Sequence, residues 1–201
     1  MVSRTALALI VAFVCCAGVG AADSAAETID EPPPQQLELA DGLLAFTLPG
    51  TWEKVEPRSR IVEHEFALPP ADGQSQSGRM TMMRSGGGVK ANINRWKGQF
   101  EIDREVDPQD ALQVQETKID GITVHLVDFR GTYLDRRRPF GPGTPRPGYR
   151  MLGAIVQTPE AGDYFVKFYA PEATVDTHAE AFEAMISKLE WRGRKQAADS
   201  E

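Results

Sequence analysis

Between Leu43 and Trp191 short β-rich runs follow one another, broken by only two stretches of helical period, one mid-chain and one at the end. That order limits the fold more than any other feature. Leu43 to Leu48 and Trp52 to Val55 flank the turn dipeptide Pro49-Gly50. Arg60 to Leu68 reads as a strand with Val62, His64, Phe66 and Leu68 on one face and Ile61, Glu63 and Glu65 on the other. Pro69 to Ser77 is a polar loop, and a strand over Arg79 to Arg84 runs into Gly86-Gly87-Gly88. Leu112 to Lys118 and Ile122 to Tyr133 are joined by Asp120-Gly121, a hairpin signal because a tight turn there needs residues that accept positive φ. Asp135 to Pro147 is a loop rich in arginine, proline and glycine, and Tyr149 to Gln157 pairs with Asp163 to Tyr169 around Glu160-Ala161-Gly162. Val89, Ile93, Trp96 and Phe100 recur at helical spacing, which predicts a helix over Val89 to Glu101. A second helix from Val175 to Lys188 would bury Ala179, Phe182, Met185, Ile186 and Leu189. Strands that neighbour one another as hairpins, with amphipathic helices to cover them, predict a single α+β domain: an antiparallel sheet packed against helices.

The ends of the chain differ from this body. Arg4 precedes an apolar run from Ala6 to Val14 that continues through Cys15, Cys16 and Val19, and small residues follow at Gly20, Ala21 and Ala22. This is the order of a secretory signal peptide, with cleavage expected near Ala21. The run is shorter than the roughly 20 apolar residues that span a bilayer. The expected location is therefore periplasmic or secreted, with no transmembrane segment in the mature chain. Neither cysteine follows the small residue a lipobox requires. With both in a removed leader the mature chain would hold no disulfide, thiolate nucleophile or cysteine-based zinc site. Residues 22–36, with Pro32 to Pro34, read as a flexible tether. The domain is expected over 37–191 and a disordered tail over 192–201.

The net charge is −7 and becomes −8 once Arg4 is removed, so nucleic acid and anionic membrane are poor electrostatic partners.

Some residues carry a resemblance. Phe46, Leu48-Pro49-X-X-Trp52, Asn92-X-X-Arg95-Trp96-X-X-Gln99, Gly131-Thr132-Tyr133 and Tyr164-Phe165-Val166-Lys167 before Phe182 together resemble the PsbP-like superfamily. That superfamily includes photosystem PsbP and bacterial DcrB-type periplasmic proteins. The resemblance spans about Leu43 to Trp191 and implies an α/β/α sandwich that serves as an accessory or binding domain rather than an enzyme.

Two constellations are candidate sites. Asn92, Arg95 and Gln99 share one side of the middle helix after the glycines, where they would grip an anionic or peptide ligand. The plainer alternative gives Asn92 to the helix start and leaves the others a solvated face. Arg136, Arg137 and Arg138 precede Pro139-Phe140-Gly141, a positive patch whose planar guanidinium groups suit carboxylate or phosphate, or else a solubilising loop tip. His64, His125 and His178 lack metal-ligand spacing. No Gly-X-Ser-X-Gly occurs, and Ser85 before the glycines lacks a phosphate-binding loop ending. The residues call for no cofactor and no catalytic set. The reading is a non-enzymatic binding or accessory module at the cell envelope, its partner a protein or small anionic ligand. A hydrolase or metal-dependent enzyme and a structural subunit of an envelope complex are the alternatives.

Overall fold

The computed structural model describes residues 31–102, 107, 111–136 and 141–194. The expected leader, with its cleavage point, and most of the tether lie outside them. In chain order the elements are β1 (Gln35–Leu39), β2 (Leu44–Leu48), β3 (Glu53–Val55), β4 (His64–Leu68), β5 (Gly78–Ser85), α1 (Gly88–Lys97), β6 (Phe100–Glu101), β7 (Leu112–Ile119), β8 (Ile122–Asp135), β9 (Thr144–Thr158), β10 (Gly162–Pro171), α2 (Glu172–Ser187) and β11 (Glu190–Trp191). The main sheet has the order β3-β4-β5-β10-β9-β8-β6, with β7 also on β8, and every pairing is antiparallel. A small sheet, β1-β2-β11, completes an α+β fold.

Strand alternation gives the main sheet two apolar faces. Phe66, Met80, Met82, Val166, Phe168, Leu152, Ala154 and Val156 form the back face, buried with Phe46 and Trp191 of the small sheet, Phe182 and Met185 of α2 and Trp52 of the turn before β3. On the front, Phe165, Met151, Ile155, Val127 and Phe129 are buried beneath Trp96 of α1 and Phe100 of β6. Trp96 lies so close to the sheet that a Cβ on Gly153 would stand 2.6 Å from its ring. Arg150 binds Asp128 and Asp176, and Arg130 binds Asp128 and Glu172, which ties the first turns of α2 to β8 and β9.

The structure corrects several expected boundaries. The strand expected from Arg60 begins only at His64. The Glu63 carboxylate accepts the N–H of Arg84, a side chain taking the place of a ladder carbonyl, and Ile61 stays 69% exposed in the preceding turn. The first helix stops at Lys97 rather than Glu101. Gly98 and Gln99 close its last turn on Asn94 and Trp96, and Phe100 departs to pair with Tyr133 in β8. Phe100 is buried as its helical spacing suggested, but from a strand. The two ends of the expected loop from Asp135 to Pro147 are strand, since Thr144, Pro145 and Arg146 pair with Asp135, Leu134 and Tyr133. The prolines are tolerated because β10 reaches β9 only from Tyr149 onward, so no outer strand needs their missing N–H groups. At the ends, Gln35 and Gln36, assigned to the tether, form part of β1, and the Gln35 amide donates to the carbonyls of Pro49 and Trp52. Arg192, assigned to the tail, donates its N–H to Leu43.

Candidate functional site

In β10, Phe165, Lys167 and Tyr169 point to the front face, so alternation sets an amine in the middle of an otherwise apolar row. Lys167 is half-buried, and its Nζ lies 4.5 Å from the centre of the Tyr169 ring and 5.3 Å from that of Tyr133. It donates to the side-chain oxygen of Gln99. No carboxylate pairs with it among the described residues. Loss of water, with repulsion from Arg79 and Arg95, pulls its pKa down to about 7. The amine is held by ring faces and one amide oxygen, an arrangement that offers a positive charge without a counter-charge.

Gln99 comes to Lys167 because α1 ends two residues before it, at Lys97. Leu134 of β8 then donates to the Gln99 carbonyl, and Arg136 Nη1 donates to the Gly98 carbonyl at 3.0 Å. The two sequence candidates thus meet at the C-terminal end of α1. Arg95 and Arg136 are both exposed there, and Gln99 is half-buried between them and Lys167. Arg137 and Arg138 lie outside the described residues. Asn92 is different: it is buried at 2%, and its amide donates to the carbonyls of Gly86 and Gly88, which fixes the glycine turn before the helix. The expected shared face therefore breaks up, with Asn92 turned inward on the turn, Arg95 facing solvent and Gln99 beyond the helix.

A group that the sequence reading did not single out adjoins this end. Arg79 forms a bidentate pair with the fully buried Glu65 at 2.6 and 2.8 Å and donates to the Tyr169 hydroxyl at 2.9 Å. Burial raises the Glu65 carboxyl, but the Arg79 hydrogen bonds and the Arg58 N–H outweigh it and hold the group below its ordinary value. Tyr133 is pushed up by burial and by donating to Tyr169. Burial also raises Tyr149, which donates to Gln76. These rings, with Arg58, Arg79 and Arg146, line a cleft of about 90 Å³.

The histidines stay apart. His178 accepts from Trp52 Nε1 at Nδ1 and faces the Pro69 carbonyl through Nε2, and His125 contacts Gln157. Burial lowers His64, whose Nδ1 has no partner among the described residues. No three His, Cys, Asp or Glu side chains among the described residues are grouped to hold one metal ion. No helix among them is long and apolar enough to cross a membrane.

The architecture is that of an α+β protein with an antiparallel sheet between helical layers. Solved structures of similar chain path include cyanobacterial PsbP from Synechocystis sp. PCC 6803, with 15% identity over 89% of this chain and 98% of that one and a TM-score of 0.49. LpqN of Mycobacterium tuberculosis, a protein involved in cell envelope biogenesis, is similar at 12% identity over 79% and 90% of the two chains, TM-score 0.46. The Ran-binding protein Mog1p of Saccharomyces cerevisiae is similar at 10% identity over 80% and 96%, TM-score 0.44. No family model and no curated protein matches the sequence.

Proposed function

We propose that this chain is an exported, non-enzymatic accessory module of the cell envelope that binds an anionic group of a partner at the C-terminal end of α1. The observation that carries this reading is the Lys167 amine, partnered among the described residues by Gln99 and two tyrosine rings, beneath a lip formed by Arg95 and Arg136. In a chain of net charge −7, Lys167, Arg95 and Arg136 come together with no ion pair to a carboxylate among the described residues, although Asp135 stands beside Arg136, and this is a local reversal of sign. A partner carboxylate or phosphate supplies the missing counter-charge, and guanidinium groups at the lip hold it in a defined plane. Export is supported by the leader, where Arg4 is followed by an apolar run and then small residues.

The test is capture from an envelope extract by the mature protein and by its Arg95→Ala/Arg136→Ala variant. Both positions are exposed, so the variant folds as the wild type does. A partner retained by the wild type and lost by the variant, with retention falling as salt rises, is the expected outcome. Equal retention by both proteins would remove this surface from the account.

A further inference from the structure

The cleft beside this surface has a composition of its own, and neither Arg95 nor Arg136 lines it. We propose that the cleft formed by Arg58, Arg79, Arg146, Tyr133, Tyr149 and Tyr169 is a binding site for a single carboxylate group. Its volume is about 90 Å³, room for a handful of waters. That suits the head of a small acid or the end of a peptide chain rather than a large ligand. The charges within it nearly balance. Arg58 and Arg79 share Glu65, while Arg146 faces Asp135 at 3.4 Å, which leaves one positive charge uncompensated. One surplus charge matches a monoanion; a dianion would be repelled by Glu65 and Asp135.

The donors also suit a planar group. Arg79 spends Nε and Nη2 on Glu65 and Nη1 on Tyr169, and a guanidinium carries five N–H bonds, so further donors remain. The long Arg146 contact leaves that side chain, 43% exposed at the mouth, able to turn onto a ligand. The Tyr133 and Tyr149 rings lie 5.7 Å apart and within 18° of parallel, and the Tyr133 and Tyr169 centres are 4.8 Å apart, so aromatic faces flank the space. Raised by burial, the Tyr133 and Tyr149 hydroxyls stay protonated across the neutral range; each already donates its one proton, to Tyr169 and Gln76, so Tyr149 donates to a carboxylate by giving up Gln76.

A carboxylate reaches this cleft either as a free acid or as a chain terminus, and four probes tell these apart: acetate, benzoate, a tripeptide with a free C-terminus and the same tripeptide amidated. The readout is an NMR titration of the folded protein following the tyrosine rings and the Arg79 Nε–H. Saturable shifts at Tyr133, Tyr149, Tyr169 and Arg79 are expected, weakened at least tenfold by Arg146→Gln and unchanged by Arg95→Ala/Arg136→Ala. The last result separates this site from the surface proposed above. Arg79→Gln is a poor probe because it strands buried Glu65; Tyr149→Phe, which keeps the ring and removes the hydroxyl, is the second variant and is also expected to weaken binding. Tighter binding of the free tripeptide than of acetate assigns the site to a chain terminus, and the reverse order assigns it to a free acid. The proposal is overturned if the amidated peptide binds as well as the acid, if Arg146→Gln and Tyr149→Phe both bind acids as the wild type does, or if none of the acids shifts these signals.

Discussion

Lys167 costs stability at neutral pH, and the sign of that cost follows from its environment. The folded protein holds the amine near 7, well below an ordinary lysine at 10.5. Between these values the unfolded chain binds a proton that the folded protein does not, so stability rises with pH across that window. Below about 7 both states are protonated and the full penalty remains. Tyr133 and Tyr149 are raised from 10 and Glu65 is lowered from 4.5, so none of them titrates between pH 7 and 9.5. Lys167→Met is therefore expected to be more stable than wild type at pH 7 by roughly 1 kcal/mol, a figure reduced for the water that reaches a half-buried side chain. That is about 2–4 °C in Tm for a domain of this size. The difference should shrink as pH rises to 9.5. Thermal melts at several pH values measure it, and an equal Tm at pH 7 would show that the amine is solvated. A stability cost at one residue is what a binding site tolerates when a partner later relieves it.

At the scale of elements, α1 is placed by contact rather than by caps. Among the described residues no side chain caps its first turn; Asn92 instead ties the turn to Gly86 and Gly88, and Trp96 seats the helix on Gly153. Gly153→Ala would drive a methyl group into the Trp96 ring, so a loss of about 1–3 kcal/mol is expected by chemical denaturation. Because α1 carries Gln99 to Lys167, the same substitution should also disturb the Lys167 environment; a neutral effect on stability would mean that the helix is held elsewhere. These elements show what could be read in advance. The hairpins were legible because Asp120-Gly121 and Gly162 announce their turns and the strands alternate around them. The end of α1 was not, because Phe100 satisfies both a helical spacing and a strand position, and only its pairing with Tyr133 decides between them. Arg95, Gln99 and Arg136 could be named from the sequence, but that they meet depends on the hairpin folding Arg136 back onto Gly98. Lys167 and the three tyrosines were not read as site residues, although a lysine at the inward position between Phe165 and Tyr169 was a signal in plain view. Arg79 and Glu65 could not be found from spacing, since β4 and β5 bring them together only through tertiary pairing.

On the scale of the whole molecule, the two faces of the sheet do different work. The back face, sealed by α2 and the small sheet, is a continuous apolar core and accounts for the fold. The front face is apolar under Trp96 and turns polar past the end of α1, where Lys167, Arg79, Arg95 and Arg136 gather in a chain of net charge −7. The central claim is that this end holds an amine with no carboxylate partner among the described residues, ready to take up its full charge when an anion arrives. The most direct test is to follow the Lys167 Cε–H signal of the folded protein by NMR, with labelled lysine, from pH 5 to 10. The account predicts a midpoint near 7 that is absent from Lys167→Met and that moves upward in Glu-bearing variants at position 95. A midpoint near 10.5 would show that water or a carboxylate already balances the amine, and the proposed binding surface would lose the observation on which it stands.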